Sequence, residues 1–230
     1  MKIFEYTNIG SRVCNQDFLK HAELSADSAI FVTADGMGGY SQGEVASRLV
    51  AESIVEFVEN NYQVEKPVAL LRKAIAYANE ALMLKRLAMG GSKMGTVIAI
   101  LLILRNEAYI SWLGDSRVYL YRNSQEIYRT EDHSVVNDML KIKTINISAD
   151  TLEKYSHIVT KSVMGDDKIG DIPVSMIETQ EGDTFILCTD GFHREGNMET
   201  ALNYTEDMKS DLEQTTSMYS DNNSFIKVAI

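Results

Sequence analysis

Between residues 45 and 58 the apolar positions Val45, Leu49, Val50, Ile54, Phe57 and Val58 recur at steps of three and four, the spacing that lays one stripe along a helix. They predict an amphipathic helix over 44–60. Pro67 suits the first turn of a second helix, because the N–H it lacks would have no intrahelical partner there. Leu71, Ile75, Ala78 and Leu82 form that helix's stripe, so the two helices should pack side by side. From Thr96 the period shortens to that of strands. "TVIAILLIL", "AYISWL", "RVYLYR" and "EIYR" are separated only by "RNE", "GDS" and "NSQ". A parallel crossover needs about a dozen connecting residues, so these runs predict an antiparallel meander.

The run "TVIAILLIL" is apolar at odd and even positions alike, which predicts a strand covered on both faces. A helical and loop stretch over 132–170 follows. "IPVSMIET" and "TFILCTDGF", joined by "EGD", then predict another hairpin, and "SFIKVAI" a closing strand. Helices and antiparallel strands that must bury apolar faces on one core imply a layered α+β fold rather than a doubly wound parallel sheet.

Composition narrows the partners. The chain has 230 residues, read as one domain over 1–230, with 45% hydrophobic and 24% charged residues, ordinary for a soluble globular protein. Its 33 acidic against 22 basic side chains leave a net charge of −11. That charge repels a nucleic-acid backbone or an anionic membrane, so neither is expected as a partner. "MKIFEYTNIGSR" has no continuous apolar segment of the kind a secretory signal carries, and the apolar run 97–104 is too short to cross a bilayer. The expectation is a cytoplasmic protein in which Cys14 and Cys188, each beside apolar residues, are reduced core thiols.

The chemistry sits at strand ends. In "FVTADGMGGYSQGEVAS" the apolar run 29–34 stops at Asp35, and Gly36, Gly38 and Gly39 follow. Asp115 in "WLGDSRVYLY", Asp190 in "LCTDGF" and Asp221 in "SDNNSFIKVAI" likewise border apolar runs. Each alone reads first as a turn residue in solvent, and Arg12 alone as a surface cation. If the strands share one sandwich, however, these ends converge. Carboxylates brought together repel by roughly 1 kcal/mol or more per close pair. Oxygen donors without a Cys or His cluster then point to a hard divalent ion, Mg²⁺ or Mn²⁺. Gly36 could turn its carbonyl toward such an ion, Gly38 and Gly39 would allow close approach, and Arg12 would grip phosphate oxygens.

Seven motifs in order resemble the metal-dependent serine/threonine protein phosphatases of the protein phosphatase 2C family, in its bacterial form. They are "RVCNQD", "DGMGGYSQGEVAS", "MGT", "GDSRVYLY", "EDHS", "LCTDG" and "DNNSFIKV", and they span nearly the whole chain. The resemblance implies a four-layer αββα sandwich of two antiparallel sheets flanked by helices. It implies two core ions, Mn²⁺ or Mg²⁺, bridged by Asp35, with the Gly36 carbonyl on one and Asp190 and Asp221 on the other. Asp17 would support these ligands, Arg12 would clamp phosphate, and Asp115 with Asp190 would hold a third, weaker ion. The segment 132–170 resembles the family's mobile flap.

The implied reaction is hydrolysis of phosphoserine and phosphothreonine by a water bridging the metals, with no phosphoenzyme. The implied partners are phosphorylated proteins, substrates of a serine/threonine kinase, and a monomer is expected. Met37 stands where eukaryotic members carry a histidine proposed as general acid, and Gln16 where many carry a glutamate. Solvent must then protonate the leaving group, with His193 the nearby alternative, and "FHREGNMETALN" departs from the usual continuation. Two rival readings are a non-catalytic member that binds phosphorylated partners and a structural Ca²⁺ protein. The first predicts lost aspartates, whereas all four are present. The second lacks the EF-hand loop pattern.

Overall fold

The computed structural model describes residues 1–37, 42–142, 148, 152, 154–155 and 157–230. Strands β1 (Lys2–Asn8), β2 (Asp17–Ser25) and β3 (Ser28–Met37) lead into helices α1 (Gly43–Asn61) and α2 (Pro67–Ala88). A meander of β4 (Gly95–Leu104), β5 (Glu107–Leu113), β6 (Arg117–Arg122) and β7 (Gln125–Arg129) precedes helix α3 (Val135–Lys141). Then come β8 (Val174–Glu178), β9 (Asp183–Cys188), the short helices α4 (Asp190–Glu195), α5 (Met198–Asn203) and α6 (Lys209–Thr216), and β10 (Asn223–Ala229).

The strands form two five-stranded sheets, in the orders β1-β10-β9-β6-β7 and β2-β3-β4-β5-β8, antiparallel at every pairing. Their side chains build three apolar layers. Ile98, Ile100 and Leu102 of β4 pack with Val50, Ile54, Leu71 and Ile75 of α1 and α2. The alternate residues Ala99, Leu101 and Ile103 face the other sheet, meeting Leu120, Leu187 and Ile226. On that sheet's outer surface Tyr6, Cys188 and Phe225 pack under Phe192, Ala201 and Leu212 of the short helices. The expected four-layer sandwich is therefore present, and β4 is apolar on both faces because each face has its own layer.

Local chemistry explains the hairpins. Asn123 and Ser124 join β6 to β7 at φ 51° and 61°, with Arg122 opposite Gln125, the two-residue turn whose twist suits a hairpin. The α2 stripe is buried as its spacing predicts, the α1 stripe is buried at Val50, Ile54 and Val58 and partly buried at Val45, Leu49 and Phe57, and α2 starts at Pro67.

Two expectations need revision, and others lie outside the described residues. Strand β3 does not stop at Asp35: Asp35 pairs with Val97 and Gly36 with Thr96, and the Thr96 hydroxyl donates to the Asp35 carbonyl at 2.7 Å. The β4 ladder thus carries the acid two residues inside the strand's end. Cys14 is exposed rather than a core thiol, whereas Cys188 is buried; Val13 beside it is itself fully exposed, so an apolar neighbour signalled no burial. The expectations for Gly38, Gly39 and much of 143–156 fall outside the described residues. The flanks of the segment 132–170 are described: Ser134 caps α3 by accepting from the Asn137 N–H at 3.2 Å, and Val163 bridges to Thr96.

Candidate active site

Antiparallel pairing gathers the acids. Asp17 opens β2 directly opposite Asp35 near the end of β3. In the other sheet Cys188, at the end of β9, lies between Phe225 near the start of β10 and Arg117 at the start of β6. Asp190, Asp221 and Asp115 each stand two residues beyond those three strand ends. All three therefore reach the same end of the sandwich, where a cleft of about 730 Å³ is lined by Arg12, Asp35, Gly36, Asp115, Asp190 and Asp221.

The electrostatics follow from this crowding. The Asp35 carboxyl is held well above the usual aspartate range, first by loss of water and then by the charges of Asp17, Asp190, Asp115 and Asp221. Asp17 is pushed up to about 7, mainly by burial, with Asp190 and Asp221 adding repulsion and two hydroxyls working against it. Those hydroxyls are Thr189, at 2.9 Å, and Ser224, at 2.7 Å, both donating to Asp17 Oδ2. Thr189 stands at the N-cap of α4 but makes no side-chain cap. Its hydroxyl serves the carboxylate instead of the helix. Asp115, buried, is raised to about 6 by desolvation and by Asp190, partly offset by Arg194.

Glycine and asparagine fix the loops. A Cβ on Gly36 would lie 2.3 Å from the Gly43 carbonyl oxygen, so glycine is required there by the close approach of α1 to β3. A Cβ on Gly191 would meet the Asn222 carbonyl at 2.1 Å, which explains the second Asp-Gly pair. Asn222 donates to the carbonyls of Ile9 and Cys14 at 2.8 and 3.0 Å and accepts from the Gln16 N–H at 2.8 Å. One buried amide thereby folds the whole Arg12 loop against the Asp221 turn. Arg12, more than half exposed, pairs with Asp221 at 2.7 Å, which places a guanidinium at the cleft's rim.

The residues that sequence reasoning missed are those defined by long-range contact. Thr189, Ser224 and Asn222 flank the acids within the quoted motifs, and a hydroxyl or amide beside each acid was the available signal. Arg194 had none. Its guanidinium donates to Asp115 Oδ2 at 2.9 Å and pairs with Asp190 Oδ2 at 2.8 Å. His193 donates its Nε2–H to the Asp115 carbonyl at 2.9 Å and, lowered to about 4 chiefly by burial, is neutral. It is committed to a loop contact and is not poised as an acid. Met37 lines the cleft and offers no proton.

Among the described residues no three Asp, Glu, His or Cys side chains close around one point; Arg12 pairs with Asp221, and Arg194 stands between Asp115 and Asp190. The donor set nevertheless fits hard divalent cations at the core. It is all oxygen, the Asp35 and Asp115 carboxyls are raised by burial and then by neighbouring carboxylates whose repulsion a cation would relieve, and Asp17 Oδ1 is buried with no hydrogen-bond partner among the described residues.

The chain is similar to known proteins over most of its length. Protein phosphatase PhpP of Streptococcus pneumoniae is 30% identical over 198 residues, covering 83% of this chain and 78% of that protein. The crystal structure of serine/threonine phosphatase Stp1 from Staphylococcus aureus superposes with a TM-score of 0.82 at 25% identity, over 100% of this chain and 94% of that one. The catalytic domain of the serine/threonine protein phosphatase PstP, solved in complex with two manganese ions, gives 0.78 at 26% identity over 98% and 96% of the two chains. The model of the family described as Protein phosphatase 2C matches residues 6–227, and with the fold and the ring of aspartates in place the chain belongs to that family.

Proposed function

We propose that this chain is a metal-dependent phosphatase that hydrolyses phosphoserine and phosphothreonine in proteins. The observation that carries the reading is the convergence of Asp35, Asp190 and Asp221 from both sheets on one cleft with Arg12 at its rim. Asp35, Asp190, Asp221 and the Gly36 carbonyl would hold two ions, Mn²⁺ or Mg²⁺; PstP, solved with two manganese ions, supports that choice. Bound there, such ions acidify water and neutralise phosphate charge.

The chain's own residues do the rest. Arg12 presents paired N–H groups to the phosphate's outer oxygens and screens charge that grows there during in-line displacement. Asp17, held by Thr189 and Ser224, keeps Asp35 in register from behind. Because Met37 has no proton and His193 is engaged with Asp115, the leaving alkoxide takes its proton from water in the cleft. Substrates on this reading are products of serine/threonine kinases, met by a cytoplasmic monomer; no helix among the described residues is long and apolar enough to cross a membrane.

Release of phosphate from a phosphothreonine peptide with added Mn²⁺ tests the proposal. Activity that survives thorough chelation refutes metal dependence. Peptide binding without turnover would favour a non-catalytic reader of phosphorylated proteins.

A further inference from the structure

Asp115 and Asp190 are the pair on which the family resemblance would seat a third ion, and the structure gives that pair a side chain of its own. Arg194 extends one guanidinium nitrogen to Asp115 and another to Asp190, at 2.9 and 2.8 Å. We infer that the Arg194 guanidinium is the resident cation of this pair, so that the enzyme works with two metal ions and an arginine where a third ion would otherwise bind.

The delivery of Arg194 is built into the fold. It lies one turn after Asp190 on α4, which directs both side chains the same way. The helix is tied down on either side: His193 donates to the Asp115 main chain at 2.9 Å, and Glu195 accepts from the Ser220 N–H at 2.9 Å. The Cβ space of Gly191 is closed by the Asn222 carbonyl. Asp115 is thus held twice by consecutive residues, through its carbonyl and through its carboxylate.

Competition favours the arginine. A divalent ion with only two protein carboxylates must keep most of its waters and binds weakly, whereas a tethered guanidinium stays charged at all working pH values and is present at high effective concentration. A planar fork also matches two carboxylates better than a point charge does.

The inference rests on the two-ion reading of the core, so the test has one arm that needs neither metal nor substrate. In chelator, Arg194→Gln should lower the melting temperature by roughly 3–8 °C, because buried Asp115 and partly exposed Asp190 lose their counter-charge. Adding Asp115→Asn to that variant should restore at least half of the loss. Equal effects of Asp115→Asn in both backgrounds would overturn the inference. In the metal arm, native mass spectrometry with Mn²⁺ should show two ions on the wild type and on Arg194→Lys, and three on Arg194→Gln. A wild type that takes three ions, the third lost in Asp115→Asn, would show the arginine displaced and overturn it equally. Failure of all variants to bind Mn²⁺ or release phosphate would sink the proposed function, and the chelator arm would still decide whether Arg194 neutralises the pair.

Discussion

Asp17 and Asp35 lie directly opposite one another in the β2–β3 ladder, and the two acids are unequally provided for. Asp17 Oδ2 accepts two hydroxyl donors, whereas its Oδ1 is buried without a partner among the described residues. Asp35, facing it, has its protonation pushed upward first by burial and then by Asp17 and three further carboxylates, Asp190, Asp115 and Asp221. A metal-free chain therefore keeps like charges at close quarters, as strain that neutralising one of them removes. Asp35→Asn should melt higher than the wild type in chelator while losing about 100-fold or more in phosphatase turnover with Mn²⁺. Near-full turnover would remove Asp35 from the metal site.

The same crowding sets a pH dependence. Asp17 and Asp115 rise from 3.8 to about 7 and about 6, so the folded chain binds protons more tightly than the unfolded chain. Stability must then fall as pH climbs from the ordinary aspartate range through those values. In chelator, the melting temperature should drop between pH 5 and pH 7.5, and the drop should be smaller in Asp17→Asn. Thermal scans across that range check it; an identical slope in the variant would deny Asp17 its raised affinity.

Divalent ions should reverse the trend. Binding to the native state alone stabilises by mass action, about 2.7 kcal/mol when free Mn²⁺ is 100 times its dissociation constant. The gain should grow with pH, because the ion competes with the protons that the acids otherwise retain. Differential scanning fluorimetry with and without Mn²⁺ at two pH values measures it.

Arg12 reaches the rim from a loop and is paired with Asp221 rather than with the fold's interior. Arg12→Ala should leave the melting temperature within about 1 °C and lower kcat/KM for a phosphothreonine peptide by about 10- to 100-fold, the worth of a charge-assisted contact. Unchanged kcat/KM would leave Arg12 as a surface ion pair.

The two thiols should behave differently. Cys14 lines the cleft and is exposed, whereas burial pushes the Cys188 thiol up and away from its reactive form. Native protein treated with iodoacetamide should gain one label, and saturating phosphopeptide should slow its attachment. Mass spectrometry of the labelled peptides distinguishes the sites.

Much of this architecture was legible because periodicity reports burial directly. The stripe at Leu71, Ile75, Ala78 and Leu82 is buried as read, and the two-sided apolarity of β4 announced a sheet between two layers. The acids were legible as a set because antiparallel strands return to the same end. Arg194 was not, since a guanidinium six residues after Cys188 has no local signature and acquires its meaning only from Asp115, 79 positions away. Cys14 misled for the complementary reason: it sits in a loop held by Asn222 from the far end of the chain, and neighbouring hydrophobicity says nothing about such a loop. The extent of β3 past Asp35 depended on β4 pairing, which no turn-residue rule for Asp-Gly could supply.

Asp17 and Asp35 stand at the end of one sheet, and Asp190 and Asp221 border strand ends of the other. The interior between those sheets is apolar, and apolar contact resists separation without fixing alignment. A cation among the four acids would work as a clasp on the open rim of a book, joining the covers at the edge where their charges push them apart. Its removal would leave the spine, Leu101 against Leu187 and their neighbours, exchanging amide protons as slowly as before. Amides around the acids would exchange faster, so that the working end of the enzyme breathes independently of the core that carries it.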